Sequence, residues 1–321
     1  MEQINSTPKP LAVETTALTK RYRSKAAVYH LDMKVPTGAI YGFIGRNGAG
    51  KSTTLKMLCG LAAPTGGEIR LFGRPAGDPM TARRVGCLIE SAGLYPNMTA
   101  RQNAIAKAKC MGLADMKYVD KVLDITGMGH TGNKKTKLFS MGMKQRLGIA
   151  LALLGNPDLL ILDEPINGLD PEGVREIRQL IQRLNEEGKT FVISSHILGE
   201  LSKLATHYGI IKDGSLVEQI NREELAHKCT DYFRIEVADT RRALPLIAEH
   251  LPGVETEVYD SRNIRLYGIK DGAALNRLLV ENHIPVYASG FHHMDLEEYF
   301  LSRMDGTHHP ENETNQEVKN V

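Results

Sequence analysis

The chain has 321 residues, 42% of them hydrophobic and 24% charged, enough to bury one large core and a smaller second one. Forty Lys and Arg against 38 Asp and Glu leave a net charge of +2, too even to grip a nucleic-acid backbone, so no nucleic-acid partner is expected. Four cysteines, Cys59, Cys87, Cys110 and Cys229, lack C-x-x-C spacing, which argues against a zinc site or a disulfide framework, and no run approaches the roughly 20 apolar residues of a membrane span.

Taken in chain order, the first strongly apolar segment is Ala39 to Ile44, a predicted strand. Further apolar runs follow at Val85 to Ile89, Leu159 to Leu162, Phe191 to Ser194 and Tyr208 to Ile211. Apolar residues at helical spacing fill Thr99 to Met111, Lys117 to Ile125, Gly142 to Leu154 and Pro171 to Asn185. Strands apolar on both faces and separated by helices imply a parallel sheet covered by helices on each side, an α/β fold. Beyond about residue 220 the pattern changes. Tyr232 to Val237 and Asn263 to Tyr267 read as strands, Arg241 to Glu249 and Ala273 to Val280 as helices, with a last helix around Asp295 to Leu301. The expected organisation is a large α/β domain over 1–220, a small α+β domain over 221–305 and a disordered tail over 306–321, where apolar residues are almost absent.

The chemistry begins at Gly45, where Gly-Arg-Asn-Gly-Ala-Gly-Lys-Ser-Thr runs to Thr53 between a strand and a helical run, the context a phosphate loop needs. Gly45, Gly48 and Gly50 let the backbone curl, with Asn47 at its crown, so that N–H groups of the loop and of the Lys51, Ser52, Thr53 helix start face phosphate. Lys51 is placed to reach the outer phosphates of ATP, and the Ser52 hydroxyl to ligate Mg2+. The strand Leu159 to Leu162 ends in Asp163 and Glu164, at the edge where α/β sheets bind ligands. Asp163 suits holding Mg2+ through water, and Glu164 suits orienting or activating the attacking water. The next strand ends in His196, on the same edge. The pairs His292-His293 and His308-His309 have no acid or cysteine cluster at ligand spacing and are not read as a metal site.

In this order, and with Phe139-Ser-Met-Gly-Met-Lys-Gln-Arg146 just before the acidic strand, these pieces resemble the ATP-binding cassette family over residues from about 13 to 220. The resemblance implies a P-loop NTPase with a mixed sheet and a helical subdomain. It implies that Ser140 and Gly142 face the γ-phosphate held by the opposite subunit, that Leu169 and Asp170 form the D-loop, that His196 is the switch histidine and that Tyr22 stacks on adenine. The chain departs from the family pattern at Met141, Met143 and Glu90, which stand where a glycine and two glutamines are usual. A carboxylate near the γ-phosphate is repelled unless Mg2+ lies between them, so Glu90 either approaches the metal or pairs with a basic group.

Glutamate at this point, the Ser-Met-Gly-Met-Lys-Gln-Arg-Leu-Gly stretch and an added C-terminal domain are similar to the bacitracin-resistance and lantibiotic-protection exporters. That branch implies a homodimer on the cytoplasmic face of the cell membrane, beneath a separate polytopic permease, with the Glu90 to Asn103 region meeting it and antimicrobial peptides as cargo. An exporter of a lipid, polysaccharide or ion uses the same cassette and stays open as an alternative, as does a non-transport ATPase of the same family.

Overall fold

The computed structural model describes residues 10–229, 231–293 and 296–305. The expected tail and Asp295 lie outside these residues.

Strand β1 (Leu11–Tyr22) pairs antiparallel with β2 (Lys25–Leu31) and β3 (Lys34–Pro36). β4 (Ile40–Ile44), buried at every position, leads through the glycine-rich loop into α1 (Lys51–Leu58). β5 (Gly66–Leu71) and β6 (Arg74–Pro75) extend the β1 sheet. After α2 (Pro79–Ala82), capped by Asp78, β7 (Val85–Leu88) begins the second half of the unit. Then come α3 (Ala100–Cys110), α4 (Met116–Ile125) and α5 (Met141–Leu153). α3 starts at a reciprocal capping box, Thr99 with Gln102, which satisfies two donors that the first turn leaves open. β8 (Leu159–Asp163), α6 (Pro171–Glu186), β9 (Thr190–Ser195), α7 (Leu198–Ser202), β10 (His207–Lys212) and β11 (Ser215–Asn221) complete the first unit's sheets. α6 buries Ile177, Leu180, Ile181 and Leu184 at spacings of three and four, one apolar stripe of an amphipathic helix.

The central sheet has the order β11-β10-β4-β9-β8-β7. β10, β4, β9, β8 and β7 are parallel, and β11 is antiparallel to β10. Alternation separates its faces. Tyr41, Phe43, Leu159, Ile161 and Val192 share one core with Leu55 and Leu58 of α1 and with Val13, Leu18 and Val28 of the antiparallel sheet. The intervening positions face the other way: Gly42 lies against Leu201 of α7, and Gly86 against the backbone of Ala152 in α5.

One face is therefore covered by α1 together with a second sheet, where the apolar pattern implied helices alone. The second sheet escapes that pattern because β1 slips register twice against β2 and carries Ala17 at φ 48°, irregularities that break the two-residue period.

The chain divides into two compact units, one ending at Arg222 and resuming at Arg303, the other spanning Glu223–Ser302. α8 (Arg222–Lys228) begins at their boundary. The second unit contains β12 (Asp231–Val237), α9 (Thr240–His250), β13 (Glu255–Val258), β14 (Asn263–Tyr267), α10 (Gly272–Glu281) and β15 (Val286–His293), followed by α11 (Leu296–Asp305). Its sheet, β13-β14-β12-β15, is antiparallel throughout, a βαββαβ arrangement of ferredoxin-like type. Phe233, Ile235, Ile264 and Leu266 pack on Ala243 and Ile247 of α9 and on Leu275 and Leu279 of α10.

On the opposite face the Arg265 guanidinium lies 4.8 Å from the Tyr232 ring and 4.7 Å from that of Tyr259, and it pairs with Glu298 at 2.7 Å and Glu257 at 3.6 Å. β13 and β15 add two strands to the strand-helix-strand-helix unit expected from sequence. β15 is partly or fully exposed at every position, so burial imposes no alternation on it.

Candidate nucleotide site

Because β4, β7, β8, β9 and β10 are parallel, their C-terminal ends share one edge, and the loops leaving that edge carry most of the residues singled out above. The loop after β4 is tightly seated. A Cβ on Gly45 would stand 2.5 Å from the Ile211 carbonyl oxygen, and Gly50, at φ 109°, would put one 2.5 Å from that of Ala27. Only glycine fits either position. Asn47 and Gly48 form the exposed crown.

Gly50 is the N-cap of α1 and offers no side-chain oxygen, so the helix itself satisfies none of the N–H groups of Lys51, Ser52 and Thr53. Three such donors at the positive end of a helix, beneath a loop with no room for side chains, fit a phosphate chain. Lys51 is 94% buried, by its 6% side-chain exposure, and its ammonium donates to the carbonyls of Gly45 (2.6 Å) and Arg46 (3.3 Å).

The same ammonium stands 3.6 Å from Glu164 Oε1. Asp163 ends β8 directly beside Ser194 of β9, and the Ser194 hydroxyl donates to Asp163 Oδ1 at 2.5 Å while accepting the Glu164 N–H at 2.9 Å. One hydroxyl thus fixes the Asp163 carboxylate and the backbone of Glu164. Glu164, at φ 49°, turns its carboxylate back towards His196, with 2.9 Å between Oε2 and Nδ1 and a longer 3.4 Å contact from the His196 N–H.

The structure therefore brings Lys51, Asp163, Glu164 and His196 together and adds Ser194, which sequence reasoning missed. Its only signal was a polar residue closing a buried strand just before His196. Ser52 and Thr53 occupy the first turn of α1 and are half-buried. A serine hydroxyl and a carboxylate are hard oxygen donors of the kind Mg2+ takes, one or two from protein and the rest from phosphate and water. Among the described residues no group of three or more His, Cys, Asp or Glu could hold a metal on its own.

A second group lies at the start of α5. Ser140 is its N-cap, exposed, accepting the Met143 N–H at 3.3 Å. Gly142 backs onto Leu169, where an added Cβ would lie 3.8 Å from Leu169 Cδ2, and Met141 Cε reaches Gly168. Asp170 caps α6 by accepting the Gly173 N–H at 3.0 Å, with Pro171 in the first turn. The Met143 sulfur lies 3.8 Å from the Lys134 ammonium.

Tyr22 ends β1 half-exposed, with the Lys20 ammonium 5.1 Å from its ring. Glu90, just past β7 at φ 60°, pairs with Lys56 of α1 at 2.5 Å, the second of the two arrangements expected for it. That carboxylate raises the Lys56 ammonium above the usual lysine range.

A phosphate loop between a buried strand and a helix, with two acids and a histidine on the neighbouring strand ends, defines a P-loop nucleotide-binding ATPase. The chain belongs to the ABC transporter family, as an ATP-binding subunit. The family model described as "ABC transporter" matches residues 28–167.

The chain is 44% identical over 298 residues to the bacitracin transport ATP-binding protein BcrA of Bacillus licheniformis, covering 92% of this chain and 97% of that one. It is 42% identical over 200 residues to the lantibiotic transport ATP-binding protein SrtF of Streptococcus pyogenes, covering 62% of this chain and 86% of that one. Among solved structures it resembles a dimeric ATP-binding cassette bound to ADP and phosphate in a post-hydrolysis state. The TM-score is 0.59 at 25% identity, over 65% of this chain and 98% of that one. As a member of this family the chain binds nucleotide and is an ATPase subunit, of a kind that dimerises and works with membrane permease components. Among the described residues no helix is long and apolar enough to cross a membrane.

Proposed function

We propose that this chain powers an exporter that expels antimicrobial peptides of the bacitracin or lantibiotic type. It works as a homodimer on Mg-ATP beneath a separate polytopic permease, on the cytoplasmic face of the membrane. The observation that carries the cargo reading is the extent of the likeness to the bacitracin transport protein, which runs through the C-terminal unit as well as the cassette.

The site's geometry and the family resemblance together support the following residue roles. The loop from Gly45 to Gly50 and the N–H groups at the start of α1 bind the phosphates, Lys51 exchanges its loop carbonyls for phosphate oxygens, and Tyr22 stacks on the adenine. Ser52 and, through water, Asp163 would hold Mg2+, which would supply neutralisation of the phosphate charge. Glu164 orients the attacking water. His196 holds the Glu164 carboxylate through Nδ1 and leaves Nε2 to meet the γ-phosphate.

Ser140 and Gly142, exposed or half-exposed at the positive end of α5, close over the nucleotide of the partner subunit, with Leu169 and Asp170 alongside. Dimer closure then depends on a phosphate that hydrolysis removes, and the reopening drives the permease.

Two measurements test this. Tagged Glu164→Gln protein, pulled from detergent-solubilised membranes with ATP present, should bring down a polytopic membrane protein in comparable amount; ribosomal proteins or nothing at all would end the transporter reading. Loss of the gene should sensitise cells to bacitracin or a lantibiotic, and unchanged tolerance across a panel of such peptides would remove the cargo.

A further inference from the structure

Glu90 places a negative charge beside the proposed phosphate site, where the family usually has a neutral glutamine, and the structure supplies a partner for it. Lys56 stands one helical turn after Ser52 on α1, and an i, i+4 pair shares one face of a helix. Its ammonium meets Glu90 Oε1 at 2.5 Å, so the pair joins the phosphate-binding helix to the segment just past β7.

Stability does not explain this pair. Lys56 is 32% and Glu90 65% exposed, and ion pairs that open to water contribute at most about 1 kcal/mol to folding. The electrostatic consequence is larger, because a carboxylate near a polyphosphate repels it whether or not the fold is strained.

Building on the nucleotide site proposed above, we infer that Lys56 is the positioning residue for Glu90: it holds that carboxylate off the phosphates and cancels its charge, which lets this cassette carry glutamate where glutamine is usual. Lys56 acts through Glu90, and Mg2+ shares the task once bound. The requirement for Lys56 is therefore greatest for nucleotide without metal.

The test is equilibrium binding of a ribose-labelled fluorescent ATP to the purified full chain, once with Mg2+ and once with EDTA. Lys56→Met should weaken metal-free binding about tenfold and Mg-nucleotide binding by no more than about threefold. Lys56→Arg should restore both. The double variant Lys56→Met, Glu90→Gln should return to within about twofold of wild type, because it removes the charge that needs cancelling. Unfolding midpoints should stay level across the series, which separates this role from a structural one.

Equal binding by wild type and Lys56→Met in EDTA overturns the inference. So does a double variant no better than Lys56→Met, which would mean that the lysine meets phosphate directly. Absence of any nucleotide binding by wild type would instead bring down the proposed function, and this inference with it.

Discussion

The two units both build a sheet packed on helices, yet they dispose of their polar groups in opposite ways. In the cassette the parallel strands end together, and Asp163, Ser194, His196 and the loop after Ile44 are delivered to one edge. In the Glu223–Ser302 unit the strands are antiparallel, so their C-terminal ends alternate between the two edges of the sheet. There Arg265, 12% exposed, is answered internally by two acids and two tyrosine rings. Lys51, more buried still, is answered by two carbonyls of its own loop and by a carboxylate 3.6 Å away. A charge met only by loop carbonyls and a carboxylate beyond hydrogen-bond distance is available to a ligand; a charge saturated from within the fold is part of the scaffold.

That contrast can be broken most decisively at Glu164. Glu164→Gln should lower kcat about 100-fold or more, the usual scale for a lost general base, while nucleotide affinity in a binding titration stays within a few-fold. A comparable loss of affinity would mean that the carboxylate serves binding.

Next in size, the two buried cations should part company. Lys51→Ala should weaken nucleotide binding by roughly tenfold to a hundredfold, the worth of a charge-assisted hydrogen bond, with little change in melting. Arg265→Ala should leave affinity untouched and cost about 1–2 kcal/mol of stability in the C-terminal unit, leaving Glu298 and Glu257 with only tyrosine hydroxyls as partners. Calorimetry and titration on both variants would show whether the roles are as separate as the contacts imply. The smallest effect belongs to Ser194→Ala, which frees the Asp163 carboxylate and the Glu164 backbone at once: about 1 kcal/mol in stability and on the order of a tenfold fall in turnover.

Much of the cassette was legible in the sequence because each chemical residue follows an apolar run that only a buried strand explains. Lys51, Asp163, Glu164 and His196 all sit just beyond such runs. Ser194 was not legible, since its role depends on the register that sets it opposite Asp163, and register is a long-range fact. Lys56 was missed for a different reason: a lysine on a helix surface is ordinary until the fold carries Glu90 to it.

The bulged β1 hid a whole antiparallel sheet, and the exposed edge strand β15 hid the fourth strand of the small unit, because neither keeps a two-residue alternation. The helices of that unit read well, as α9 and α10 each bury a regular apolar stripe.

Glu90 and Glu164 share one further property. Both sit at positive φ, 60° and 49°, a region that suits glycine or asparagine and costs a glutamate on the order of 1–3 kcal/mol. A laboratory selection that rewarded only survival at high temperature would therefore favour asparagine or glycine at these two positions. Its winners would be hardier proteins and poorer motors, so thermal endurance and turnover must be selected together in this chain.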